Sequence, residues 1–209
     1  MSIIPKLASS LNRRDEVPNQ ELAKQIAAKK DKKAVQELID NLHNKSKDIQ
    51  NNCIKVLYEI GDINPSLISD YAKEFIALLD NKNNRLQWGA MTAINTITLE
   101  NPKVVYASLL KIIAAADKGS VITKDYAVNI LIKLCSLKQY DDNAFPLLID
   151  QLLSSPTNQL PMYAEKAMHI ITDKNKSLFT KTLISRLDDI EKDTKRKRVE
   201  KVIKKFSGN

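Results

Sequence analysis

A small, core-type residue returns every 37 positions in this chain, at Cys53, Ala90, Ala127 and Ala164. Three residues beyond each stand Val56, Ala93, Ile130 and Ala167, and four beyond stand Leu57, Ile94, Leu131 and Met168. Ile60, Ile97, Leu134 and Ile171 follow at seven. Spacings of i, i+3, i+4 and i+7 place these residues on one stripe of an α-helix. A constant interval of this length means that one supersecondary unit is copied along the chain, each copy burying its apolar face against its neighbours.

A second set keeps the same interval between those stripes: Leu38, Phe75, Ile112 and Ile149, then Leu42, Leu79, Ala116 and Leu153. Each unit therefore holds two helices, A (carrying Cys53 and its equivalents) and B. Asn64 before Pro65 and Asn101 before Pro102 read as N-caps followed by a proline at the first helical position, where a missing N–H costs nothing. Asp142 or Asn143 caps a helix with Pro146 in its first turn, and Thr157 or Asn158 does so ahead of Pro161. In the last unit Leu183, Ile184 and Leu187 continue the B stripe after a slip of register, and Val199, Val202, Ile203 and Phe206 form a closing helix. At the other end Glu21 to Lys30, with Leu22 and Ile26, reads as a shortened first A helix. The expected organisation is a loose N-terminal arm over residues 1–18, repeats over 19–190, and a basic capping helix over 191–209.

Only four glycines and seven prolines, with few aromatics, suit a helical chain better than a turn-rich sheet. No run approaches the roughly 18 apolar residues of a spanning helix, and the opening MSIIPKLASSLNRRDE has no long apolar core of a signal peptide, so the cytoplasm is expected. Cys53 and Cys135 fall two repeats apart, beyond the ~7 Å Cα reach of a disulfide, and read as buried thiols. The net charge of +8 is unevenly placed. From Lys192 onward eight basic residues face two acidic ones, and residues 1–33 hold eight basic and four acidic, which leaves −2 for the middle of the chain.

The stretches NKSKDIQNNCIKVLYEIG (Asn44 to Gly61) and LLDNKNNRLQWGAMTAINTI (Leu78 to Ile97) resemble HEAT repeats, with a polar loop, small residues on helix A and a Leu/Ile ending. The resemblance extends over residues 30–190 through the period. Gln50, Gln87, Lys124 and Pro161 stand where that family usually has an Arg, and the interval lies just under the family's ~40 to 47. The resemblance implies an all-α, right-handed HEAT-like or armadillo-type solenoid of four to five two-helix repeats. Signatures of tetratricopeptide, ankyrin and Pumilio-type repeats are not found.

In HEAT-like solenoids the B helices usually line the concave side. Here the outward B positions pass from Lys33, Glu37 and Asp40 through Asp70, Glu74 and Ala77 to Ala107, Lys111 and Ala114, and then to Ala144, Leu148 and Gln151. This passage from charged to apolar has two readings: a groove for a partner helix or peptide, or a surface already covered by the chain itself. Trp88 lies opposite Ala90 on its helix, in a column with Asn51, Asp125 and Met162, and is either an interface anchor or folded over the adjacent loop. The tail carries Lys195, Arg196, Lys197, Arg198 and Lys201 around an apolar stripe. It is either a cap with a solvated outer face or a contact for nucleic acid, an acidic protein or an anionic membrane surface.

Nothing assembles a catalytic, metal or cofactor site. His43 and His169 lie in different units, two distant cysteines cannot hold zinc, and Gly61, Gly89, Gly119 and Gly208 are isolated. Asp141 and Asp142 read as helix caps. The expectation is a noncatalytic scaffold that binds a protein or peptide through its B-helix surface. The alternative is a nucleic-acid protein akin to the HEAT-like alkylpurine DNA glycosylases, whose catalytic aromatics, Asp and Arg cannot be mapped here.

Overall fold

A computed structural model describes residues 2–207, and all regular structure in that span is helical. Gly208 and Asn209, at the end of the 191–209 segment, lie outside the described residues. The chain divides into two compact units, Met1–Ala127 and Val128–Asn209.

The first unit contains α1 (Val17–Lys29), α2 (Lys32–Asp40), α3 (Lys47–Ile63), α4 (Ala72–Ala77), α5 (Asn84–Ile97), α6 (Pro102–Ala107) and α7 (Leu109–Lys118), and ends inside α8 (Val121–Cys135). Helices α1, α3 and α5 form one layer, and α4, α6 and α7 belong to the other. The second unit holds the rest of α8, then α9 (Asp141–Ser154), α10 (Leu160–Ala167), α11 (Lys176–Ser185) and α12 (Asp193–Ser207). Within it α9 packs on α11, and α12 packs on both α10 and α11.

The A stripe is the core. Cys53, Ala90, Ala127 and Ala164 are all fully buried, as are Val56, Ala93, Ile130 and Ala167. In the fourth copy Met168 and Ile171 are only half-buried, because α10 stops at Ala167 and a 3-10 turn (Met168–Ile170) follows. On the first layer Gly61 lets α3 approach its neighbours closely, since a Cβ there would lie 2.8 Å from Ile68 Cδ1 and 2.9 Å from Thr96 Cβ.

The B stripe holds for Leu38, Phe75, Ile112 and Ile149 and for Leu42, Leu79 and Ala116, then fails at Leu153, which is 45% exposed. The earlier B segments are broken, by 3-10 turns on either side of α4 and by the interruption at Ser108 between α6 and α7. Helix α9 runs unbroken for 14 residues, and its buried face keeps Ile149 and Leu152 in the 37-residue register but shifts to take in Ala144, Phe145 and Leu148, whose counterparts Ala107, Ser108 and Lys111 are not buried. Pro146 sits inside this helix and Tyr140 is its N-cap residue, so neither Asp142 nor Asn143 caps it; both aspartates lie in its first turn. Ile184 is exposed for a similar reason: α11 buries Phe179, Thr182 and Leu183, and the next residue points about 100° away.

Side-chain caps form where Asp31 Oδ1 accepts from the Ala34 N–H (3.0 Å) and Asn83 Oδ1 from the Arg85 N–H (3.1 Å). Pro65 and Pro102 occupy the expected first turns, but Asn64 and Asn101 make no side-chain cap. Asn101 Nδ2 instead donates to the Ser69 carbonyl of the preceding repeat at 3.1 Å. Thr157 and Asn158 likewise do not cap α10, whose N-cap residue is Gln159.

The first unit also contains an amide ladder. Gln50 Nε2 donates to the Asn44 carbonyl and Gln87 Nε2 to the Leu79 carbonyl, each at 2.7 Å. Asn83 Nδ2 joins neighbouring repeats by donating to Asn51 Oδ1 at 2.9 Å, and Asn19 Nδ2 does the same to Asn52 Oδ1 at 2.6 Å. Ahead of α1, Leu7 and Ala8 are buried, and the Ala8 N–H donates to Asn19 Oδ1 at 3.0 Å.

Candidate partner-binding surfaces

On α2 Lys33 and Asp40 are exposed, while Glu37 is half-buried and accepts from Ser2 Oγ and, at 3.1 Å, from the Ile3 N–H. Next comes Tyr71, whose hydroxyl donates to Gln36 Oε1 at 2.8 Å. Burial, then the charges of Asp70, Asp40 and Glu74, push its phenol above the usual range and keep it neutral. On and beside α4, Asp70, Glu74 and Ala77 are exposed.

The α6–α7 segment carries exposed Ala107 and Ala114, with Leu110 between them 76% exposed. Beside these, Lys111 Nζ pairs with Asp80 at 2.7 Å, tying α7 to the turn after α4. The outward face of the first unit thus passes from charged on α2 to apolar on α7. Leu110 was open to sequence reading: its counterparts one and two repeats back, Lys73 and Gln36, are exposed polar residues, so an apolar side chain in that column breaks the pattern.

The structure does not carry this surface into α9. Ala144 and Leu148 are fully buried, and Gln151 is half-buried, because the buried face of that helix has shifted register. Those two residues leave the candidate surface. Trp88 is not brought to it either. It is half-buried on α5, its ring stacked at a 49° tilt on Tyr58 of α3 with centroids 5.8 Å apart. Lys55 Nζ lies 4.8 Å from the Tyr58 ring centroid and pairs with Glu59 at 2.5 Å.

In the second unit the basic tail separates into two groups. Lys195 donates to the Asn158 side chain and carbonyl, Arg196 faces Asp188 at 3.9 Å, and Lys197 pairs with Asp193 at 3.1 Å. Arg198 forms a bidentate pair with Glu165 on α10 (2.8 and 2.6 Å), which holds the Glu165 carboxyl below its usual range. Lys195, Arg196 and Arg198 hold α12 to its surroundings, while the Lys197–Asp193 pair lies within the helix. Lys201, Lys204 and Lys205 are exposed and have no hydrogen-bond or ion-pair partner among the described residues. Arg186 has a structural task that sequence reading missed. Its guanidinium donates to the carbonyls of Leu152 (2.7 Å), Leu153 and Ser155 (3.0 Å), which satisfies the orphan acceptors at the end of α9.

Both thiols are buried and free, and burial pushes each up to about 12, so neither is a nucleophile at neutral pH. His43 and His169 are exposed. No group of three or more His, Cys, Asp or Glu arranged to hold a metal occurs among the described residues, and none of their helices is long and apolar enough to cross a membrane.

No protein-family profile matches the chain, and no curated protein matches it. Solved structures do. A designed armadillo repeat protein in complex with the peptide (KR)4 superposes with a TM-score of 0.70 at 15% identity, over 98% of this chain and 100% of that one. A second designed armadillo repeat protein gives 0.66 at 14% identity, over 97% and 99%. An engineered protein gives 0.62 at 19% identity, over 100% of both. Together with the paired helices and their 37-residue stripe, these likenesses establish the fold: the chain is a HEAT/armadillo-like helical repeat solenoid.

Proposed function

We propose that this chain is a noncatalytic scaffold that binds a peptide or protein segment on the outward B face of its first unit. The observation that carries the reading is Leu110, 76% exposed and flanked by exposed Ala107 and Ala114. Burying a leucine of that exposure is worth about 1.5 to 3 kcal/mol, which makes it the natural anchor of an interface. The Lys111–Asp80 pair and the acidic cluster of Asp40, Asp70 and Glu74 form a polar margin on which a partner's charges would set register. The designed armadillo neighbour solved with a (KR)4 peptide supports the same kind of partner and favours basic residues in it.

Selection of a random peptide library against the intact protein tests this. Enriched peptides should carry an apolar residue with flanking Lys or Arg. They should lose at least tenfold in affinity against Leu110→Asp, about 1.4 kcal/mol, and be indifferent to Lys197→Ala. Peptides unaffected by Leu110→Asp would place binding elsewhere and end the reading. Salt-sensitive duplex DNA binding that survives removal of residues 192–209 would favour the nucleic-acid alternative instead.

A further inference from the structure

The second unit carries a groove of about 580 Å³ along α12, distinct from the B face and independent of the function proposed for it. Its apolar lining comes from Met168, in the turn after α10, and from Val202 of α12. Lys201, Lys204 and Lys205 stand around it, and the Arg198–Glu165 pair closes one side. Every basic residue from 195 to 198 is engaged within the unit, whereas these three lysines make no hydrogen bond or ion pair with the described residues, Lys201 only adding its charge to the field at Glu165. We infer that the groove is a docking site for an acidic peptide segment that inserts one apolar side chain between Met168 and Val202 and sets its carboxylates against Lys201, Lys204 and Lys205.

Charge and shape together select this occupant. Three exposed ammonium groups on successive turns of one helix face, none in a hydrogen bond or ion pair with the described residues, call for carboxylates or phosphates. A nucleic-acid backbone would gain nothing from an apolar floor. A membrane needs a protruding apolar face to insert, yet Val199 and Val202 are buried and Phe206 is turned inward, edge-on to Phe179 at 5.8 Å. An acidic segment with an apolar anchor satisfies both the lysines and the floor. The lysine stems cover the rest of its anchor while their heads remain in water.

The test uses the whole protein and a fluorescein-labelled peptide of mixed Asp and Glu with one central Phe, read by fluorescence anisotropy. Saturable binding is expected, weakened at least tenfold when the Phe of the probe is replaced by Ala. The same loss is expected for the triple variant Lys201→Glu, Lys204→Glu, Lys205→Glu and for Met168→Lys, with no change for Lys197→Ala. Circular dichroism confirms that each variant is folded. The probe-side Phe to Ala change keeps the test decisive if a variant is not. Absence of binding overturns the inference, and so does equal affinity for the Phe and Ala probes, which would mean charge attraction alone. Tighter binding of duplex DNA or of phosphatidylserine vesicles with the same variant sensitivity would also overturn it, in favour of those ligands.

Discussion

The first and second units hold their helices together with different polar chemistry. In the first, short amides do most of it, beside the Lys111–Asp80 and Arg85–Glu16 ion pairs: Gln50, Asn83, Gln87 and Asn101 each reach a carbonyl or amide of the same or an adjacent repeat over a fixed, small distance. In the second, long cations do it. Arg186 collects the carbonyls at the end of α9, Lys166 donates to Asn129 at 3.1 Å, Lys174 pairs with Asp142, and Arg198 clasps Glu165. A short amide can bridge two loops only if both return in the same register, so the amide ladder goes with a strict 37-residue interval. A four-carbon or guanidinium side chain spans a wider range, so the cationic unit tolerates the shifted face of α9 and the slip at α11.

Core truncation should not distinguish the two units, and it sets the upper end of the scale. Phe75 in the first and Phe179 in the second are both fully buried, so Phe75→Ala and Phe179→Ala should each cost about 3 to 5 kcal/mol in denaturant titration. A much smaller loss at Phe179 would mean that the second unit is loosely packed, contrary to its burial. The polar contrast comes next. Arg186→Ala should cost about 2 to 3 kcal/mol, because the side chain is only 13% exposed and its loss strands three carbonyls. Lysine at this position should rescue little, since it lacks the planar fork.

Alkaline pH should affect both units alike. Each thiol is raised from 9.0 to about 12 by burial, so between those values the folded chain keeps protons that the unfolded chain releases. Stability should therefore fall as pH rises above 9, by up to about 1.4 kcal/mol per pH unit for each thiol. In the Cys53→Ala, Cys135→Ala double variant the curve should be flatter by that amount. Asn83→Ala, which removes one rung of the amide ladder and the cap of α5, should cost about 1 kcal/mol by thermal denaturation. If its cost equalled that of Arg186→Ala, the two chemistries would be equivalent and the contrast would collapse.

The same contrast explains what was legible in the sequence. The A stripe could be read because Cys53, Ala90, Ala127 and Ala164 share one environment, and their small size is what close helix layers require. Ala144 and Leu148 were misplaced on the surface because a fixed interval was carried into α9, where an unbroken helix moves the buried face. Leu153 and Ile184 were put in the core for the related reason that one residue turns a side chain by about 100°. The tasks of Asn101 and Arg186 were not legible, because each bonds a carbonyl more than 30 residues away and no local pattern names it. Of the outward positions on α6 and α7, Ala107 and Ala114 are exposed and Lys111 half-buried, and the most exposed apolar residue, Leu110, lies one position from Lys111.

The smallest effect belongs to the pair that looks strongest in geometry. Arg198 and Glu165 are bidentate, yet their side chains are 46% and 36% exposed, so water and salt screen them. Arg198→Ala should cost under about 1 kcal/mol, less than Arg186→Ala despite the bidentate geometry. Its signature is in pH. The Arg198 guanidinium holds Glu165 below its usual 4.5, so the pair stabilises the fold above that value and the contribution disappears as acid protonates the carboxylate. In the variant, Glu165 should titrate nearer 4.5 by NMR and the acid limb of the stability curve should be shallower. An unchanged Glu165 titration would mean that α12 is held to α10 by Val199 and Val202 alone, leaving Arg186 as the main cationic fastening of the second unit.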